Sequence, residues 1–154
     1  MIESPRIVQT EAMPTAVIRI RVPRSEIQNV MGPAIGEVIA AVSSQGIGPA
    51  GSVFSLHHKM DAEQFDFEVG VPVTAPVQAT GRVVASEIPA RRVVRAVYRG
   101  GYEGLGDGWA ELDRWITAEG YATEPGLWER YSKGPESTPD PSAWETELNK
   151  PLLS

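Results

Sequence analysis

Two glutamates occupy matching places in two predicted strands. In the predicted strand 65–73, period-two alternation separates Glu68 from the apolar Phe67, and in 144–152 it turns Glu147 away from the apolar side chains in the same way. A carboxylate about 4 Å from a cation gains roughly 4 kcal/mol at an effective dielectric of 20, before the desolvation cost is subtracted. Nearby tyrosine or tryptophan rings add about 0.5–2 kcal/mol each through cation–π contact. The pattern therefore predicts a site for flat, lipophilic cations.

The strands that precede these two carry further polar and aromatic side chains. Alternation predicts that Phe54 and Trp128 point into the core and that His57, Glu129 and Tyr131 point outward. The outward side chains would then share one surface with the two glutamates. The alternative is an open sheet without a ligand, since strand-borne charges usually mark a solvated face.

Nothing in the sequence supports a metal, phosphate or serine-nucleophile site. His57 and His58 are adjacent, so on a strand they point to opposite faces and cannot share one metal ion. No serine lies in a G-x-S-x-G motif. The glycines between Gly100 and Gly108 lack the lysine of a phosphate-binding loop, so they indicate a turn and close helix packing. We therefore predict no metal and no cofactor, haem included.

The composition excludes several classes of protein. The chain has 154 residues with 14 Lys+Arg against 20 Asp+Glu, a net charge of -6, which argues against a nucleic-acid binder. It contains no cysteine, and therefore neither a disulfide framework nor a thiol nucleophile. The first residues lack the pattern of a signal peptide, and no apolar run approaches the roughly 18 residues that span a membrane. We expect a cytoplasmic protein that does not enter membranes.

The elements that carry these residues follow the same order twice along the chain. A valine-rich strand at 16–22 and another at 92–99 each precede a helical segment. The first helical segment is predicted to begin at Pro33, because proline favours the first helical position. The helical segments end at Gly46 and Gly120, the residue type that most often follows a helix. Two further strands complete each half, so that each half is predicted to be β-α-β-β.

Spacing supports a duplication. Glu68 and Glu147 are 79 residues apart, and the other matching landmarks are separated by roughly 75 residues. The sequence thus predicts an α+β fold in one domain made of two repeats. The domain spans 1–154, its repeats cover about 5–73 and 88–152, and a linker at 74–87 joins them.

Four segments resemble the GyrI-like domains, the effector-binding domains of AraC-type regulators. The segments 67–73, 98–109, 128–131 and 140–152 have the sequences FEVGVPV, YRGGYEGLGDGW, WERY and DPSAWETELNKPL. Each motif alone is weak, but the combination is fairly specific. The resemblance extends over essentially residues 5–152.

The resemblance implies a tandem of SHS2-like β-α-β-β modules whose antiparallel sheets enclose a central cleft for a hydrophobic, often cationic, small molecule. In that family a glutamate on the last strand anchors the ligand, and the motif match assigns this role to Glu147. For Trp109 and Trp128 a purely structural role in the core is the alternative. The residues expected around the anchor, by position or by symmetry, are Glu68, Tyr131, Tyr102, Tyr98, Trp109, Trp128 and His57.

The resemblance leaves three functions open. Regulators of this kind join the domain to a DNA-binding helix-turn-helix. Only 12 residues precede Met13, which is too few for a helix-turn-helix. We therefore expect a stand-alone binder of bulky aromatic, cationic molecules that does not bind DNA by itself. Some stand-alone relatives open the cyclopropane ring of DNA-alkylating natural products with water. In that case Glu147 would be the general acid or base, and Tyr131 or Tyr102 would hold the ligand's carbonyl. The third function is regulation through a protein partner, and a homodimer is compatible with each.

Overall fold

The computed structural model describes residues 2–60, 64–134 and 138–153. The chain is an α+β protein whose strands pair antiparallel. The described strands are β1 (Ile2–Gln9), β2 (Met13–Pro23), β3 (Phe54–Met60), β4 (Gln64–Pro72), β5 (Val84–Ile88), β6 (Arg92–Arg99), β7 (Leu127–Lys133) and β8 (Glu145–Pro151). The described α-helices are α1 (Ile27–Ser44) and α2 (Leu105–Ala118).

The chain divides into two compact units. The middle unit is Glu11–Ala90, and the terminal unit combines Met1–Thr10 with Arg91–Ser154. None of the described helices has the length and apolar character needed to cross a membrane.

The middle unit contains four antiparallel strands in the order β3-β4-β2-β5, and α1 covers one face of them. Its register places Ile18 opposite Val69 and Ile20 opposite Phe67. These side chains are buried together with Val38 of α1. Every second residue of a strand points to the same face, and a helix repeats every 3.6 residues, so both elements present an apolar face to the core.

The terminal unit is built in the order β1-β6-β8-β7 and is covered by α2. Its register places Ala96 opposite Leu148 and Tyr98 opposite Thr146. Leu112 and Ile116 of α2 pack on Ala96 and Leu148, so that the helix covers this face of the sheet.

Both helices end at the predicted glycines, and for the same reason. The amide of Gly46 donates to Ser43 O, and that of the following residue donates to Val42 O; Gly120 and its successor repeat this pattern at the end of α2. The two glycines have φ angles of 71° and 81°, which glycine adopts without steric cost. The pattern is a Schellman motif, in which these amides donate hydrogen bonds to carbonyl groups of the last helical turn that would otherwise have no donor.

The start of α1 and two edge strands differ from the sequence predictions. The helix begins at Ile27, and Pro33 lies inside it, where its ring removes one backbone hydrogen bond without ending the helix. Residues 84–87 of the predicted linker, together with Ile88, form β5, which pairs with β2. Strand β1 was not predicted; its register shifts between Glu3 and Arg6, which accommodates Pro5 at a sheet edge.

Candidate functional site

A partly buried carboxylate lies beneath α2 in the terminal unit. The register of β7 and β8 places Glu129 opposite Leu148, on the face that α2 covers. Trp109 of α2 donates its indole Nε1–H to Glu129 Oε2 at 2.7 Å, and the hydroxyl of Tyr131 donates to Oε1 at 2.8 Å. Each carboxylate oxygen therefore accepts one hydrogen bond from an aromatic side chain.

The environment of Glu129 favours its protonated form. Burial raises the pKa of Glu129 above the ordinary value for glutamate, and this effect is larger than the opposite effect of the hydrogen bonds from Trp109 and Tyr131. A carboxyl group with this property can take up a proton or a ligand cation. It is therefore the described acid whose surroundings are best suited to ligand chemistry.

Aromatic rings extend from this carboxylate toward solvent. Tyr102, in the 3-10 turn Tyr102–Gly104 that precedes α2, meets Tyr131 edge-on with ring centres 5.7 Å apart. Its ring also lies near that of Trp144, with ring centres 5.0 Å apart. Trp144 is fixed by a 2.9 Å hydrogen bond from its Nε1–H to Thr138 O. Tyr102 is 38% exposed, so the aromatic group reaches the surface.

We call these residues the Glu129 cluster. Its members are Glu129, Trp109, Tyr131, Tyr102 and Trp144. Trp109, Tyr131 and Tyr102 are among the residues predicted from the sequence, but the predicted anchor was Glu147, and Trp144 was not predicted. A buried indole N–H needs a hydrogen-bond partner, and this need of Trp109 is the signal that could have pointed to an acid on the strand below.

The predicted face of β7 is wrong. Trp128 lies opposite Asn149 and Arg130 lies opposite Glu147, so these four share the sheet face away from α2, while Glu129 lies on the α2 face. A shift of one residue moves every side chain of a strand to the other face. The prediction placed Trp128 in the core because its side chain is large and apolar. The carboxyl group of Glu129 can instead lie on the face that α2 covers, because two aromatic side chains donate hydrogen bonds to it and reduce the cost of its burial.

Glu147 has a different environment from Glu129. Its Oε1 lies 3.3 Å from Arg95 Nε, and its Oε2 lies 3.4 Å from an amino nitrogen of Arg130. The amide of Asn149 also donates to Oε1, at 3.2 Å. Two guanidinium groups thus already neutralise this carboxylate.

Tyr98 is a core residue beneath α2. It is 6% exposed, and its hydroxyl donates to Gly101 O at 2.8 Å. A Cβ atom on Gly104 or Gly108 would lie 2.1 Å or 2.8 Å from the Tyr98 side chain. The glycines of this segment therefore serve close helix packing, as predicted.

The residues predicted for the middle unit do not share one surface. His57 stacks on the core residue Phe67 with ring centres 4.9 Å apart, and its Nε2 lies 3.3 Å from Ser55 Oγ. Glu68 points to the opposite face, where its Oε2 lies 2.5 Å from His58 Nε2. The predicted outward position of His57 is thus wrong, because the register pairs it with Phe67 rather than with Glu68.

The two histidines do lie on opposite sides of the strand, as their adjacency predicted. In the described part of the chain, no group of three or more His, Cys, Asp or Glu side chains is placed to hold a metal ion.

A family of known domains matches almost the whole chain. The family is described as the GyrI-like small molecule binding domain, and the match covers residues 3–152. No curated protein matches the sequence.

Several solved structures share the fold. The C-terminal domain of EcmrR is 22% identical, with a TM-score of 0.84 and 98% of each chain covered. In the complex of EcmrR with DNA, the present chain spans 57% of the EcmrR chain. SAV2435 bound to tetraphenylphosphonium is 12% identical, with a TM-score of 0.71 and coverage of 99% and 95%. A hydrolase from Listeria innocua is 13% identical, with a TM-score of 0.65 and coverage of 97% and 92%.

Proposed function

Because the chain belongs to the GyrI-like family of small-molecule-binding domains, we propose that it binds bulky aromatic cations at the Glu129 cluster. The observation that carries this proposal is the partly buried Glu129 carboxyl group, hydrogen-bonded by two aromatic side chains and flanked by a third. The small-molecule class follows from the family. The aromatic and cationic character of the ligand is inferred from the side chains.

The positive charge is inferred from the poor solvation of Glu129. Burial raises the pKa of this carboxyl group, which means that its anionic form lacks compensating charge. A ligand cation about 4 Å away would contribute roughly 4 kcal/mol at an effective dielectric of 20, before its own desolvation is subtracted. The rings of Tyr102, Tyr131 and Trp144 offer apolar contact and cation–π attraction to the same ligand.

We assign the anchoring role to Glu129 rather than to Glu147. Glu147 already has Arg95 and Arg130 as partners, so a ligand cation would have to compete with two guanidinium groups. Glu68 is likewise paired, with His58. Glu129 differs from Glu147 in that its two hydrogen-bond donors, Trp109 and Tyr131, are neutral and no guanidinium group pairs with it among the described residues.

A titration with tetraphenylphosphonium, the compound bound to SAV2435, tests the proposal. All four tryptophans, Trp109, Trp115, Trp128 and Trp144, belong to the terminal unit, so intrinsic fluorescence reports on the unit that holds the cluster. We expect Glu129→Gln to weaken binding at least about tenfold, the equivalent of 1.4 kcal/mol. The matched control Glu147→Gln should bind within about twofold of the wild type.

A neutral compound shows whether the effect of Glu129 depends on the charge of the ligand. Triphenylphosphine oxide keeps three of the aryl rings but is neutral, so its affinity should not respond to Glu129→Gln. Equal affinity of wild type and Glu129→Gln for tetraphenylphosphonium would refute the proposed anchor. A loss in Glu147→Gln alone would return the role to Glu147.

A second candidate function is hydrolysis of a cyclopropane-bearing electrophile, and the environment of Glu129 favours it too. A carboxyl group with a raised pKa can protonate a leaving group or activate water, and the hydroxyl of Tyr131 lies beside it. Mass spectrometry of a cyclopropane-bearing substrate separates the two functions. Gain of one water that requires Glu129 would indicate the hydrolase, and recovery of the unaltered compound would indicate the binder.

We also infer that the two units are diverged copies of one β-α-β-β module. Each has a strand, a helix that ends in a Schellman motif, and two further strands, with one added edge strand. Glu68 and Glu147 both lie on the face that the helix does not cover. An offset of 74 residues aligns Phe54 with Trp128, and it also aligns Ser55 with Glu129 and His57 with Tyr131. The middle unit therefore has no glutamate at the position that corresponds to Glu129.

A further inference from the structure

Three arginines surround one carboxylate on the sheet face away from α2. The β1–β6 register places Arg6 beside Arg95, and the β7–β8 register places Arg130 opposite Glu147. Arg95 Nε reaches both Glu147 Oε1, at 3.3 Å, and Asn149 Oδ1, at 2.7 Å. We call Arg6, Arg95, Arg130 and Glu147 the arginine face.

The arginine face has a surplus of positive charge. Its three guanidinium groups face the single carboxylate of Glu147, so two positive charges are not neutralised within it. The neighbouring row of the same face is balanced, because Arg99 and Lys133 pair there with Glu3 and Glu145. The surplus is therefore local, in a chain whose net charge is -6.

Several hydrogen-bond donors of this face have no partner among the described residues. Arg95 donates a hydrogen bond to Asn149 through Nε, and no hydrogen bond from its two terminal amino groups is found to any described residue. Arg130 Nε is buried without a hydrogen-bond partner in the described part of the chain. Arg6 is exposed and forms no ion pair with any described residue. Each donor is attached to a planar group whose geometry matches a carboxylate or phosphate.

The electrostatic effect of this crowding is visible at Arg95. Burial lowers the pKa of the Arg95 guanidinium, and the positive charges of Arg130 and Arg6 lower it further, while Glu147 acts in the opposite direction. An added anion would offset the repulsion among the three cations. The exposed Arg6 and the 43% exposed side chain of Arg130 leave a route to it from solvent.

We propose that the arginine face binds an oxyanion, the carboxylate or phosphate group of a small molecule, through the guanidinium groups of Arg6, Arg95 and Arg130. The site is separate from the Glu129 cluster, because the two lie on opposite faces of the same strands. It selects negative charge, whereas the Glu129 cluster selects positive charge. The two proposals can therefore fail independently.

Titration of the full-length protein with inorganic phosphate and with benzoate tests this site. Sodium chloride holds the ionic strength constant, and the arginine side-chain Nε–Hε signals are followed by ¹H–¹⁵N NMR. We expect saturable shifts at Arg95 and Arg130 with at least one probe. Tighter binding of phosphate would indicate a phosphate-bearing ligand, and tighter binding of benzoate would indicate a carboxylate-bearing one.

Three variants separate a specific site from general charge attraction. Arg6→Gln should weaken binding up to about fivefold, the range of one exposed ion pair. Glu147→Gln should strengthen it by a similar factor, because the internal counterion is removed while the shape is kept. Arg92→Gln, the same change on the other face of β6, should leave the affinity unchanged. Absence of saturation, an equal loss in Arg92→Gln, or weaker binding in Glu147→Gln would overturn the proposal.

Discussion

Glu129 links function to stability at the level of a single residue. Its pKa is raised in the folded protein by burial, so the folded chain holds this proton more tightly than the unfolded chain does. The stability that this proton contributes is fully present below the ordinary glutamate pKa and is lost as the pH rises through the folded pKa. A ligand cation would supply compensating charge at the pH where the proton leaves.

We expect Glu129→Gln to remove this loss of stability, because glutamine keeps the shape of the side chain without an ionisable proton. Thermal unfolding between about pH 4 and pH 8 measures it: the melting temperature of the variant relative to that of the wild type should rise with pH, because the variant lacks the group whose deprotonation destabilises the fold. A constant difference across the range would contradict the assignment.

Tyr131→Phe provides a second test of the same residue. The Tyr131 hydroxyl donates to the carboxylate and lowers the pKa of Glu129, so its removal should move the loss of stability to higher pH. Affinity for tetraphenylphosphonium should shift in the same direction, since the carboxylate must be ionised to attract the cation. No displacement of either curve would show that the hydrogen bond does not influence ionisation.

The contact between α2 and β6 is set by glycine at the level of elements. A Cβ on Gly108 would lie 2.8 Å from Tyr98 Cδ1, whereas a Cβ on Gly106, in the same helix, meets no atom within 4 Å. We expect Gly108→Ala to destabilise the protein by about 1–3 kcal/mol through overpacking. Gly106→Ala should stabilise it by about 0.5–1 kcal/mol, because alanine favours a helix.

Urea unfolding followed by far-UV circular dichroism measures both alanine variants. Since α2 carries Trp109, displacement of the helix in Gly108→Ala should also weaken tetraphenylphosphonium binding, and Gly106→Ala should leave it unchanged. Equal stability of the two variants would show that Tyr98 yields without cost.

The elements also show which features the sequence could predict. The ends of α1 and α2 were predictable because Gly46 and Gly120 act locally, through backbone angles that need no tertiary information. The faces of β3 and β7 were not, because partners distant in sequence decide them: Phe67 stacks on His57, and Trp109 donates to Glu129. Strand β1 escaped prediction because Pro5 conceals its pairing with β6.

The same division applies to the candidate site. Three of its aromatic residues could be identified from position, Tyr102 because it lies where a strand gives way to a helix and Tyr131 because it shares a strand face with Glu129, whereas Trp144 was missed. The choice between Glu129 and Glu147 required the register of β7 on β8, which no local pattern contains. The neutralisation of Glu147 by Arg95 likewise depends on pairing between β6 and β8.

At the scale of the whole molecule, the net charge of -6 should influence how fast a cation arrives. A negative field attracts phosphonium cations from solution, and salt screens it with a Debye length of about 30 Å at 0.01 M and about 3 Å at 1 M. Stopped-flow quenching of tryptophan fluorescence should therefore show an association rate for tetraphenylphosphonium that falls several-fold, on the order of three to ten, between these salt concentrations. The dissociation rate should change less, because it depends on contacts within the Glu129 cluster. Triphenylphosphine oxide, which carries no charge, should associate at a rate that salt leaves nearly constant; an equal salt response of the two compounds would mean that the field of the protein does not select its ligand.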